Sequence, residues 1–200
     1  VPEHVRNLDQ FEGHAQIAEG RDGYGRILAA VSTDEGPVAL ALLEAGLGHI
    51  FVIPPETIDL KPYYAAQDRA RAAGRGIWSQ EAFRSGFHVT SFHANGSGDD
   101  NLNPNGEYFR LCNVSEGPKD LAGWSIRTRS GAEYKLPPLT LPPGYTVKVT
   151  SGRGPHATDP TRPLTVYLNT DGPIYNDDYD VLQLMDPTGR VVEERSSKSF

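Results

Sequence analysis

The feature that most constrains this chain is a change of texture at residues 84–88. Beyond it, short apolar runs are separated at close intervals by Gly, Pro, Asn and Asp, which leaves no stretch long enough for an ordinary helix. The runs are His88–Ala94, Glu107–Val114, Trp124–Thr128, Glu133–Leu136, Tyr145–Ser151, Leu164–Asn169, Asp180–Met185 and Arg190–Glu194. That spacing predicts an antiparallel sandwich of seven or eight strands in about 110 residues. Before the break, strands and helices mix. The expected organisation is therefore an α+β domain over 1–84 and an all-β domain over 88–200, with a linker around Arg84–Phe87.

In the first part, His14–Glu19 reads as a strand leading into Gly20-Arg21-Asp22-Gly23, a hairpin signal, and Arg26–Ser32 reads as its return. Gly36-Pro37 opens a helix through Val38, Leu40, Ala41, Leu42, Leu43 and Leu47, closed by Gly46. Because these residues are apolar on more than one side, the helix is expected to be largely buried. Pro54-Pro55 interrupts the chain, and an alanine-rich helix runs over Lys61–Arg75, ending at Gly74-Arg75-Gly76. Tyr64, Gln67, Asp68 and Arg71 share helical spacing, which reads as a solvated face in preference to a nucleic-acid contact.

Charge narrows the partners. The formal net charge is −7, with 8 basic against 12 acidic residues up to Gly86 and 11 against 14 after it. Phosphate binding over a whole surface needs an excess of Lys and Arg, so an anionic partner must be met by a local patch. The single cysteine, Cys112, excludes an internal disulfide and any multi-thiolate metal site. It lies in an apolar strand pattern and reads as packing. No apolar run approaches the ~18 residues of a membrane span, and Val1–Gln10 lacks the apolar core of a signal peptide.

Two acidic segments could take a hard cation. Asp99, Asn101, Asn103 and Asn105 place oxygen donors at alternate positions, as calcium requires, although Asn and Asp also favour such loops through Asx turns. Asp177, Asp178 and Asp180 form a second acidic turn with the same two readings. His88 and His93 are five apart and would face opposite ways on one strand. Trp78 and Trp124 read as core anchors.

The run Arg21-Asp22-Gly23-Tyr24-Gly25-Arg26-Ile27-Leu28-Ala29, followed by Glu44-Ala45-Gly46-Leu47 and by Gly76-Ile77-Trp78-Ser79, resembles the thermonuclease (staphylococcal-nuclease-like) family over Phe11–Gln80. The resemblance implies an OB-type barrel with helices, here a partial barrel. It also implies calcium-dependent phosphodiester hydrolysis, in which carboxylates hold the metal, a glutamate activates water and two arginines grip the phosphate. Arg26 matches one of those arginines; the alternative is that it fixes its own hairpin. Val1–Gln10 resembles the tail of the family's first helix, so the metal and general-base residues are expected upstream, supplied by another segment or chain. Where the family commonly places base-seating tyrosines, this chain has His49-Ile50-Phe51-Val52-Ile53, with Phe51 alone aromatic in that run.

The second part resembles the lamin-tail domain, an immunoglobulin-like sandwich. The resemblance rests on Gly106–Asn113, Asp120-Leu121-Ala122-Gly123-Trp124-Ser125-Ile126, Leu141-Pro142-Pro143-Gly144-Tyr145, Asn176–Leu184 and Asp186–Val192. It implies binding or architecture. Together the two resemblances imply a nuclease-like module carrying a binding module in a secreted or cell-surface bacterial protein, inactive as this chain alone and with DNA or RNA as partner once the nuclease domain is completed. The alternative is a non-catalytic surface-assembly protein that uses both modules for interaction.

Overall fold

A computed structural model describes residues 14–21, 25–55, 58–96 and 102–197. The N-terminal hairpin forms between the two strands expected on either side of the Asp-Gly signal: β1 (His14–Arg21) pairs antiparallel with β2 (Ile27–Thr33), from His14↔Ser32 to Arg21↔Ile27, with a shift of register between Ile17 and Arg21. β3 (Gly36–Pro37) adds a short third strand beside β2. α1 (Val38–Glu44) follows, and Gly46, at φ 70°, turns the chain out of it.

The expected burial of α1 does not occur. Leu43 is buried, whereas Leu42 is 46% and Leu47 50% exposed. One stripe, Leu40 and Leu43, packs with Ile50, Val52 and Ala66, and among the described residues no further layer covers the opposite side. α2 (Lys61–Ala72) begins beyond Asp59, whose carboxylate accepts the Lys61 N–H at 3.1 Å, and Pro62 occupies its first turn. It stops where Gly74 adopts φ 60° and the Gly74 and Arg75 amides donate back to the carbonyls of Arg71 and Ala70. Ala66 and Ala70 are fully buried, so α2 sits close to its neighbours.

Gly46 and Gly76 explain two of the short motifs. The Ile77 N–H donates to Gly46 O at 2.9 Å, and a Cβ on Gly76 (φ 53°) would lie 2.1 Å from that same oxygen. This backbone-to-backbone approach locks the end of α1 onto the 3₁₀ turn Gly76–Ser79, which carries the buried Trp78.

From β4 (Phe87–His93) onward the chain is all β. With β5 (Tyr108–Asn113), β10 (Thr146–Thr150) and β11 (Leu164–Tyr167) it makes one sheet in the order β11-β10-β5-β4. The second sheet has the order β13-β12-β7-β8, from β7 (Ser125–Arg127), β8 (Glu133–Lys135), β12 (Val181–Met185) and β13 (Val191–Ser196). Phe109, Leu111, Val147, Val149 and Val166 from the first sheet face Ile126, Leu182 and Leu184 from the second across one core. Each such side chain contributes roughly 1.5–3 kcal/mol on burial. Two details depart from the expected antiparallel sandwich, one in strand direction and one in the strands it contains. β11 runs parallel to β10, because residues 151–163 carry the chain back before pairing resumes, and β6 (Lys119–Asp120) pairs with β9 (Thr140–Leu141) as a short extra ribbon.

The polar face of α2 is not solvated as its sequence suggests. Gln67 is buried and its Oε1 accepts the Ile50 N–H at 2.7 Å; the Tyr64 hydroxyl donates to Pro143 O at 2.7 Å. Arg71 donates to Val114 O, pairs with Asp68 at 2.8 Å, and lies 4.5 Å over the Trp78 ring. The reason is tertiary: the carbonyls of Val114 and Pro143 lie at a strand end and a turn, and α2 presents long polar side chains to them. Val52 continues the seam, donating its N–H to Gly144 O at 2.8 Å.

Candidate functional site

Arg26 stands exposed at the entry to β2, just after Gly25, which turns the chain at φ 79°. The remainder of the hairpin turn, Asp22–Tyr24, lies outside the described residues. A guanidinium there can grip a phosphate, but hydrolysis also needs a metal or a base. Among the described residues no three His, Cys, Asp or Glu side chains converge in a way that could hold a metal ion.

Of the acidic loop, Asp99 and Asn101 lie outside the described residues, and Asn103 is exposed. Asn105 has structural partners: its Oδ1 accepts from the Thr150 hydroxyl at 2.7 Å and its Nδ2 donates to Arg153 O at 3.0 Å. In the second acidic turn, Asp177 and Asp178 are exposed and Asp180 is buried. The Asp180 carboxylate accepts the amides of Asn176, Arg129 and Val181 at 2.8, 2.9 and 2.6 Å, so it organises the turn before β12.

A buried polar cluster that sequence reading missed sits where α3 (Glu81–Arg84) meets β4 and β13. Glu193 accepts the Val89 N–H at 2.8 Å and Arg195 Nε at 3.0 Å, and lies 3.1 Å from His88 Nδ1. Phe83 stacks on His88 at 4.0 Å, and His49 meets the same ring edge-on at 5.7 Å. Burial lowers the His49 pKa, an effect offset in part by its hydrogen bond with Ile50 O and reinforced by His88. The irregular register between Leu184 and Met185 turns both Val192 and Glu193 inward, which simple alternation cannot foretell. Cys112 is buried nearby, its thiol pushed up to about 12 by desolvation, so it packs and does not attack.

Phe51 is 47% exposed and belongs to the wall of a cleft, not to a core. The cleft, of about 510 Å³, runs between residues 51–54 and the outer face of β4, β5, β10 and β11; Arg110 and Lys148 lie on its floor.

Comparison with known proteins assigns both parts. The Lamin Tail Domain family matches residues 84–199, more than half of the chain. The chain belongs to the lamin tail domain family. Ahead of that domain, residues 6–80 match the staphylococcal nuclease homologue family, in the order the motifs imply. No curated protein matches the chain. The lamin tail domain is the immunoglobulin-like sandwich described above, and the nuclease-like region contributes β1, β2, β3, α1 and α2, in which no sheet closes into a barrel among the described residues. The seam thus joins two families: Tyr64 and Arg71 on the nuclease-like side bond to Pro143 and Val114 of the lamin tail domain. No helix among the described residues is long and apolar enough to cross a membrane.

Proposed function

We propose that this protein acts on nucleic acid, with the nuclease-like region presenting Arg26 to a phosphodiester and the lamin tail domain serving as a rigidly attached binding module. The observation that carries this reading is the seam itself. A module tethered by a flexible linker would only raise local concentration, whereas one bonded through Tyr64, Arg71 and Val52 holds a bound strand in fixed geometry to Arg26.

The staphylococcal nuclease family is typically calcium-dependent and needs metal carboxylates and a general base, and no group of three His, Cys, Asp or Glu among the described residues could hold the ion. In this proposal they come from a further segment or another chain that completes the barrel. Two observations support a missing layer: β1 is the edge of its sheet among the described residues, and Leu42 and Leu47 on α1 are half exposed. A secreted or cell-surface bacterial setting is part of the same proposal.

The test is cleavage of labelled DNA and RNA, with calcium and with a chelator, by the protein joined to the segment or chain that completes its barrel. Calcium-dependent cleavage that collapses on Arg26→Ala supports the reading. The absence of cleavage of either polymer in calcium favours the second reading, a non-catalytic interaction protein, for which the exposed α1 face speaks.

A further inference from the structure

The outer face of the first lamin-tail sheet carries an electrostatic conflict. The register places Ser91, Arg110, Lys148 and Thr165 in one row across β4, β5, β10 and β11. Arg110 and Lys148 therefore stand directly opposite each other, and like charges in that relation destabilise a sheet. Both lie over Tyr108, at 4.9 and 4.4 Å from its ring centre, and His93 stacks on the same ring at 4.3 Å. Burial and then Arg110 lower the Lys148 pKa; burial, Arg110 and then Lys148 lower that of His93. Among the described residues neither Arg110 nor Lys148 is bridged to a carboxylate, in a chain of net charge −7 where acids outnumber bases.

The conflict sits on the floor of the cleft, not on an open surface. Ser91 Oγ is buried there without a hydrogen-bond partner among the described residues, so the floor holds a hydroxyl without a partner and two cations that share the Tyr108 ring but have no carboxylate. The opposite wall is apolar, formed by Phe51, Ile53 and Pro54, with Phe51 and Ile53 exposed. A charged floor facing an apolar wall suits a ligand with an anionic and a flat apolar part. The volume of about 510 Å³ lies within the range of sites for small ligands, roughly 300–1,000 Å³.

We propose that this cleft seats one nucleotide unit of a single-stranded nucleic acid, its phosphate held by Arg110 and Lys148 and its base laid against Phe51. An oxyanion between the two cations removes the like-charge conflict, and the planar fork of Arg110 suits two phosphate oxygens. A duplex is disfavoured because its bases are already stacked, which leaves the apolar wall without a partner. The anion site stands on its own geometry; the choice of nucleic acid among phosphate-bearing ligands rests on the function proposed above.

The experiment is fluorescence anisotropy of a labelled single-stranded oligonucleotide of about ten nucleotides, titrated at several salt concentrations in chelator. Arg110→Gln with Lys148→Gln is expected to weaken binding at least tenfold and to reduce the slope of log affinity against log salt by about 1.4, or about 0.7 for each cation removed from the strand. Phe51→Ala is expected to weaken binding by about 5- to 150-fold with the slope unchanged. An unchanged slope in the double variant overturns the proposal. So does tighter binding of a duplex of equal length, or equal affinity for inorganic phosphate. Arg26→Ala separates the two readings: if it abolishes strand binding while the cleft variants retain it, the cleft assignment fails and the nuclease-like reading survives. Each variant is checked by circular dichroism; Phe51 is exposed, and Arg110 and Lys148 lie outside the core.

Discussion

Replacing Arg71 by alanine should loosen α2 from the lamin tail domain while keeping the helix, because alanine is the best helix former. Four interactions are removed, of which the exposed pair with Glu116 at 3.6 Å adds little. The guanidinium bond to Val114 O is charge-assisted and partly buried, for which about 1.5–3 kcal/mol is typical. The stacking over Trp78 adds roughly 0.5–2 kcal/mol. The pair with Asp68, whose side chain is 38% exposed, adds less than about 1 kcal/mol after solvent screening. These terms overlap, so the expected loss is about 3 kcal/mol, a shift of roughly 1.5 M in urea midpoint if the slope is about 2 kcal/mol per M. Unfolding should be followed both by tryptophan emission, which reports Trp78 and Trp124, and by helical circular dichroism. Arg71→Lys keeps the charge but not the planar fork and should recover less than half of the loss. A loss below about 0.5 kcal/mol for Arg71→Ala, the range of ordinary surface pairs, would refute the claim that this side chain anchors the seam.

Other outcomes follow from single sites. Gly46→Ala forces a side chain into φ 70° and puts a Cβ 2.4 Å from Arg75 O, so it should cost several kcal/mol, more than the roughly 1 kcal/mol of conformational strain alone; a loss no larger than that in chemical denaturation would contradict the backbone approach. His49 has a folded pKa below its ordinary 6.5, so the unfolded chain binds the proton more readily. Stability should therefore fall as pH drops below about 6.5 and level off beneath the lowered folded pKa, and His49→Asn should flatten that part of the profile of urea midpoint against pH. Cys112, with its thiol pushed up to about 12, should resist iodoacetamide in the native state and react at the rate of unfolding; fast alkylation at neutral pH in buffer would contradict its burial.

Much of the secondary structure was legible because its causes are local. The strands of the two sandwich sheets lie between turn residues, and their alternating burial, as in Tyr108–Asn113 and Thr146–Thr150, follows the period of the strand. The pairing of those strands was less legible. Nothing in Leu164–Tyr167 says that it pairs parallel to β10, since that depends on the path of residues 151–163. The short ribbon of β6 and β9 carries too few residues for any periodic signal. On α1, apolarity was read as burial, but burial requires a covering layer as well as an apolar side chain.

The candidate site shows the same division. Arg26 could be picked out because its neighbours in sequence carry a family motif, and Phe51 because it is the one aromatic in the run where that family places tyrosines. Arg110 and Lys148 gave no signal, being ordinary solvent-facing residues of two separate strands. By itself, the sequence determined the elements, the glycines that permit Gly46 and Gly76 to touch, and the two families in their order. Only the tertiary structure decided that the polar face of α2 meets the carbonyls of Val114 and Pro143, and that two cations oppose each other beneath an apolar wall. The physical reason is range: backbone preference acts within a turn or two of chain, whereas hydrogen-bond satisfaction and charge proximity depend on which strands and helices become neighbours.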